Sequence, residues 1–354
     1  MNNHKIKVLF SESKEHYTSL GLYDDDDFIF EFDGMRFYKN NKIGREFDAF
    51  VCGYYSLCHN LILSDYFKLE GKPTFLISDG IFDFANSFYN RKHVKDGFFL
   101  FFPIYQDYFI SADKNCIKYI SNSNFKSVKS YLSKRVVGEM LVPLPIQKKI
   151  LITTANSSYF NTDEFEQVCD LISDIISILK NKEINFSVRI YDKKIIESID
   201  LDGIFNDINT DFEKCLISYS SIITTPSSIS ILAMKNKRSV MHLIYRTTPQ
   251  NIQCAWNVYN SIVFERDLDG FLNHDEIRIK QQNIILNTLL PERDINEVIK
   301  SCISDYKKKE EDKEIENFKK NIYHKMLTSK FNFNIEYSAR KIFNKIRKHF
   351  KFIF

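Results

Sequence analysis

The chain is poor in the residue groupings that build several familiar sites. Its seven cysteines, Cys52, Cys58, Cys116, Cys169, Cys215, Cys254 and Cys302, are odd in number and include no C-x-x-C pair. That argues against both a disulfide framework and a zinc site, and fits a reducing cytoplasm. The eight histidines show no ligand spacing. His59 in a helical run and His242 in an apolar strand are therefore expected to be structural, and no metal or cofactor is expected. Glycine is scarce: after Gly138 only Gly203 and Gly270 remain, so the second half has no glycine-rich phosphate loop. Nowhere do roughly 18 uncharged apolar residues run together, and Met1 to Phe10 has no signal-peptide core, so neither export nor membrane spanning is expected. Charge of one sign is not in excess, with 49 basic against 46 acidic residues. That balance lacks the footprint of a nucleic-acid binder.

What is present is enough for two ordinary cores, 354 residues of which 44% are hydrophobic. The charge is balanced overall but not locally. From Lys319 to Phe354 ten Lys or Arg face one acid, Glu336, a local +9 on a chain whose total is +3. Within that stretch Ile335, Ala339, Ile342, Phe343, Ile346, Phe350 and Ile353 recur at steps of three and four, the pattern of a basic amphipathic helix. Such a helix lies on anionic lipid or packs on the body of its own protein.

Short apolar runs alternate with helical periodicity from the start. Ile6–Phe10 reads as a buried strand ending at Ser11 and Glu12. A strand over Phe47–Cys52, a helix over Leu57–Phe67 and a strand over Thr74–Ser78 form a βαβ unit, which calls for a parallel sheet. A strand over Ile117–Ile120 and a helix over Phe125–Ser133 follow. Pro143 and Pro145 then mark a boundary, after which the layout restarts: strand Lys149–Thr153, helix Thr162–Lys180 with Thr162 as its N-cap, strand Phe186–Tyr191, helix Phe212–Tyr219, strand Ser221–Thr225, helix Ser227–Lys235 and strand Val240–Ile244. The expected division is 1–145, 146–305 and a basic helical tail, 306–354.

In parallel sheets ligands bind beyond the carboxyl ends of the strands. Four loops therefore carry the candidates: Ser11-Glu12, Asp79-Gly80, Thr154 to Ser158, and Thr224 to Ser228. In the last, Thr225 ends a strand, Pro226 suits a first helical position, and Ser227 and Ser228 place hydroxyls beside free amide N–H groups. A helix tip of this kind suits an anion; capping by Thr225 is the alternative. Asp79 is the candidate general base, on the premise that its loop desolvates it, with Glu12 as its competitor. Arg246, after the last strand, would place a cation near a phosphate or else lie on the surface. Asp24 to Asp27 read as a solvated loop and Trp256 as packing.

Two segments resemble GT-B glycosyltransferases. Ile222 to Leu243 is similar to the strand, Thr/Pro/Ser turn and helix with which that family cradles donor phosphates, and Lys148 to Asn161 resembles the opening of its donor domain. The resemblance implies an α/β, GT-B fold of two Rossmann-like domains facing across a cleft. It also implies a nucleotide-sugar donor held by Thr154, Asn156, Thr225, Ser227, Ser228 and Arg246, and a glycan or glycolipid acceptor on the first domain. Ser78-Asp79-Gly80 and the pair Ser227-Ser228 further resemble motifs of bacterial sialyltransferase-like enzymes that use CMP-linked acidic sugars. Their His-Pro motif has no counterpart, since the corresponding strand ends Arg189-Ile190-Tyr191-Asp192. A nucleotide-sugar epimerase, a polyol-phosphate transferase and a non-catalytic GT-B module stand as alternatives. Peripheral contact of 335–354 with anionic membrane would suit the transferase.

Overall fold

The computed structural model describes residues 5–36, 43–54, 57–90, 101, 104–124, 127–306, 317–322, 339, 342–343 and 346. Two sheets organise it. The first contains β1 (Ile6–Phe10), β2 (Phe28–Glu31), β3 (Ala49–Cys52), β4 (Thr74–Ile77), β5 (Tyr108–Ser111) and β6 (Ser127–Ser130). Their order is β2-β1-β3-β4-β5-β6. The second contains β7 (Ile150–Thr153), β8 (Phe186–Arg189), β9 (Ser221–Thr224), β10 (Ser239–Leu243) and β11 (Trp256–Val258), in the order β11-β10-β9-β7-β8. Every strand pair described is parallel. In each sheet the order reverses beside the opening strand, between β1 and β3 and between β7 and β9. Those two reversals are where a doubly wound sheet opens a crevice.

Apart from the start of β1 and from β2, β6 and β11, which carry exposed residues, the strands are buried on both faces, and successive residues supply different cores. In β1, Val8 and Phe10 join one cluster and Leu9 another. Leu9, Phe50 and Leu76 meet the helix α2 (Cys58–Leu69) through Leu63 and Phe67. In the second half Ile150 and Ile152 pack on the long amphipathic helix α6 (Thr162–Asn181). The cluster holding Val8 and Phe10 is shared, since it continues through Leu151, Ile222 and Val240 of the second sheet. The two halves are thus joined by packing as well as by the chain.

Around these sheets lie α1 (Lys14–Leu20), α3 (Phe84–Tyr89), α4 (Cys116–Asn124), α5 (Lys134–Val137), α7 (Lys193–Ser198), α8 (Ser228–Lys235), α9 (Ser261–Leu272), α10 (Glu276–Leu289) and α11 (Ile295–Asp305). The chain returns to the first half at α11. Asn296 Nδ2 donates to the Tyr23 carbonyl at 2.9 Å, Tyr23 Oη donates to Asp294 at 3.1 Å, and Tyr306 meets Tyr108.

Several sequence expectations are corrected. Ile117–Ile120 belongs to α4 and not to a strand: Asp113 Oδ1 accepts from the Cys116 amide at 2.7 Å and starts a helix there. The expected helix over Phe125–Ser133 contains edge strand β6, where only Val128 of the four residues is buried. Phe125, Val128 and Leu132 mimic helical spacing, and a short apolar run does not discriminate. The cap of α6 is Asn161, not Thr162, in a reciprocal capping box with Glu164. Phe212–Tyr219 is a turn of α-helix followed by a turn of 3-10 helix. β2, β5 and β11 had no counterpart in the sequence reading, and Trp256, 1% exposed, packs within β11 as expected.

Candidate functional site

The carboxyl ends of both sheets open on one cavity of about 300 Å³, whose wall is drawn from the two halves. The first contributes Asp79 to Asp83, Asn86, Arg135 and Val136. The second contributes Ala155, Tyr159, Pro226 to Ser228, Tyr245, Arg246, Asn251 and Ile252. A volume near 300 Å³ is at the small end of ligand pockets.

The serine turn follows from its sequence. β9 ends at Thr224, and Pro226 cannot continue it because it lacks an N–H. Pro226 precedes the helix instead of opening it; Ser227 is the N-cap, with φ −161° and ψ 171°. An N-cap hydroxyl ordinarily accepts from the helix's own amides, but Ser227 makes no such bond. Ser227 and Ser228 remain half-buried on the cavity wall, at the N-terminal end of α8, where the Ser230 amide already donates to the Ser227 carbonyl at 3.0 Å. Thr225 is placed differently from the expectation. It is fully buried, and its Oγ1 accepts from the Ala155 amide at 2.8 Å, tying the loop after β7 to the loop after β9. It shapes the crevice without facing it.

Thr154 and Asn156 precede and follow Ala155 but do not line the cavity. Thr154 Oγ1 is buried with no hydrogen-bond partner, whereas Asn156 is exposed. The next residue, Ser157, donates through both its amide (2.7 Å) and its hydroxyl (2.6 Å) to Asp192, the N-cap of α7. Burial pushes the Asp192 carboxyl up, but the Ser157 hydroxyl and the amides of Ser157, Lys194 and Ile195 outweigh it, so its pKa lies below the ordinary value.

Arg246 is neither a surface residue nor a free cation. Its side chain is 7% exposed and stands 3.4 Å from Glu164 of its own half and 3.9 Å from Asp83 of the other. It also donates to the Tyr159 carbonyl at 2.9 Å, and its guanidinium lies 4.6 Å from the centre of the Tyr245 ring. The residue reaches the cavity as part of a bridge between the halves. Asp83 has its pKa raised by burial, opposed by the Asn86 amide and by Arg246.

Asp79 stands on the opposite wall, paired with Arg135 at 3.3 Å. Half of its side chain is exposed, so the desolvation premise is not met. Its loop ends β4 in a turn whose Ser78 hydroxyl donates to the Gly80 carbonyl. Glu12 lies at the β1–β3 crevice but does not line the cavity. It accepts from Tyr17 Oη, the Gly53 amide (2.9 Å) and Asn60 Nδ2 (3.3 Å). Burial raises its pKa against those three bonds. Glu12 thereby joins the loops after β1 and β3 to α2.

Four further residues of this region were missed by the sequence reading. His16, on α1, has its Nε2 buried without a hydrogen-bond partner. Its pKa is lowered by burial, while Asp79 draws it up and Arg135 pushes it down. Arg135, Asp83 and Asn251 were invisible because each faces the cavity only through tertiary packing. The one available signal was for His16, four residues after Glu12 behind a strand. Among the described residues no three His, Cys, Asp or Glu converge as a metal site would require.

No protein-family model matches the chain, and no curated protein matches its sequence significantly. Solved structures do match its fold. A candidate UDP-N-acetylglucosamine 2-epimerase from Listeria monocytogenes aligns with a TM-score of 0.54 at 12% identity, over 87% of this chain and all of that one. S. aureus MnaA, solved with UDP, aligns with a TM-score of 0.51 at 12% identity, over 86% of this chain and 97% of its own. The expected α/β fold of two facing Rossmann-like domains, GT-B, is borne out.

Proposed function

We propose that this chain is a glycosyltransferase that takes a sugar from a nucleotide-activated donor held in the cavity between its halves. The observation that carries the reading is the serine tip of α8, whose Ser227 hydroxyl is not used in capping and which faces Asp79 and Arg135 across one cavity. The first amides of α8 and the Ser227 and Ser228 hydroxyls would hold the donor phosphates, and the helix dipole would favour the negative charge that grows as the sugar–phosphate bond breaks. Asp79 would accept the proton of the acceptor hydroxyl as its oxygen bonds to the anomeric carbon, with Arg135 fixing the carboxylate's position. Glu12, through Gly53 and Asn60, would hold the floor of the acceptor side. That the MnaA neighbour was solved with UDP supports a nucleotide site in this fold.

Within this reading the acceptor is a surface polysaccharide or lipopolysaccharide. The pair Ser227-Ser228 and the Asp79-Gly80 turn favour a CMP-linked acidic sugar. The basic segment 335–354 would hold the enzyme peripherally against an anionic membrane. That segment lies outside the described residues except for Ala339, Ile342, Phe343 and Ile346, which are exposed. Among the described residues no helix is long and apolar enough to cross a membrane.

The test is thermal unfolding with CMP, CDP, UDP and GDP and their sugars. A ligand at a hundredfold its Kd stabilises by about 2.7 kcal/mol, a readily visible rise in Tm. No response to any of them would favour the non-catalytic module. The named epimerase neighbour favours one other reading, in which the donor is consumed without an acceptor. Donor turnover assayed with and without acceptor glycan separates the two, because a transferase needs the acceptor.

A further inference from the structure

Asn251 lies in the loop between β10 and β11, 5% exposed, in the wall of the cavity. It belongs to the second half but is held by the first. Its Nδ2 donates to Asp113 Oδ1 at 2.9 Å, and its carbonyl accepts from Asn115 Nδ2 at 3.0 Å. Asp113 follows β5 and is fully buried; it also accepts from the amides of Phe82 (3.1 Å) and Cys116 (2.7 Å) and from Ser111 Oγ (3.3 Å). Four donors converge on that carboxylate, so the amide nitrogen of Asn251 is the end turned towards it. The other end, Oδ1, is buried and has no hydrogen-bond partner.

A buried amide oxygen left unpaired costs about 1–3 kcal/mol, and such groups in folded proteins are few. This one is rigidly oriented, in the cavity wall, at the contact between the two halves. We infer that Asn251 Oδ1 accepts a hydrogen bond from a hydroxyl of the group being transferred, and so discriminates the sugar or polyol of the donor. The inference rests on the nucleotide-donor reading of the cavity. If phosphates lie at Ser227 and Ser228 and the acceptor enters on the first half, the transferred group sits between them. Asn251 lines the same cavity, pinned to Asp113 of the first half, and so is available to a group held between the two halves. A site built to pair with a hydroxyl discriminates strongly against ligands that lack it.

Calorimetric titration of the full chain with UDP and UDP-N-acetylglucosamine, CDP and CDP-glycerol, GDP and GDP-mannose, and CMP and CMP-N-acetylneuraminic acid first identifies the pair that binds. For that pair, Asn251→Ala is expected to weaken the sugar- or polyol-bearing member roughly tenfold more than the bare nucleotide. Asn115→Ala, which removes only the clasp on the loop's main chain, is expected to leave the ratio of the two affinities unchanged. An unchanged ratio in Asn251→Ala overturns the assignment, and so does an equal loss of both ligands, which would make Asn251 a strut between the halves. A wild-type chain that binds no nucleotide refutes the donor reading itself, an outcome distinct from either.

Discussion

Arg238 commits its guanidinium entirely to main-chain carbonyls. Fully buried, it donates through Nε to Tyr219 (3.1 Å), through Nη1 to Val142 and Asn236 (2.6 Å each), and through Nη2 to Pro143 (2.7 Å) and Leu216 (2.6 Å). Burial pushes its pKa down to about 10. The fork geometry cannot be reproduced by an ammonium. Arg238→Lys should therefore lower stability by about 3 kcal/mol or more, read by urea unfolding, since several carbonyls lose their donor around a buried charge. A loss below about 1 kcal/mol would mean that water replaces the guanidinium. His242 makes a pH prediction. It is fully buried, its Nε2 pairs with Ser230 Oγ at 2.7 Å, its Nδ1 has no partner, and burial pushes its pKa down to about 3. Between the ordinary histidine value and about 3, the unfolded chain binds this proton and the folded chain does not, so stability falls as pH falls through that window. Relative to His242→Gln, the wild type should lose up to about 1.4 kcal/mol more per pH unit from pH 6 down to pH 4. Parallel pH profiles for the two proteins would refute the account.

At the scale of elements, the tip of α8 separates the demands of a helix from those of a ligand. Ser227→Asp supplies a better cap and a negative charge at a helix N-terminus, which should raise stability by about 0.5–1 kcal/mol. The same charge repels a phosphate, so nucleotide binding should fall by at least roughly tenfold. Unchanged or tighter nucleotide binding in Ser227→Asp would mean that no anion is held there. The linker makes a second case. Gly138 ends α5 at φ 74°, and a Cβ there would lie 2.5 Å from Glu213 Oε1 and 2.6 Å from Leu232 Cδ1. Glu213 accepts from the amides of Glu139 and Met140 at 2.8 and 2.9 Å, fastening the linker to the second half. Gly138→Ala should cost about 2 kcal/mol or more by unfolding, from the positive φ together with the clash.

For the whole molecule, the decisive feature is that the two halves share a core and meet at one cavity bridged by Asp83–Arg246 and Asp113–Asn251. Much of the architecture was legible in the residues. Strand, loop and helix alternate at lengths that leave a parallel sheet as the natural outcome, and the serine turn after β9 announces a helix tip. These are local properties, written in periodicity and turn chemistry within about twenty residues. β6, read as helix, shows the limit of that signal: a short edge strand gains its identity from pairing with β5, which no nearby residue encodes. What only the tertiary structure decided is which loop residues face one another. Asp79 found Arg135, Arg246 was enclosed by carboxylates from both halves, Thr225 turned inward, and Asn251 was fixed by a buried aspartate 138 positions away. Those relations depend on how two sheets pack, and packing is set by the sum of all buried contacts instead of by any one segment.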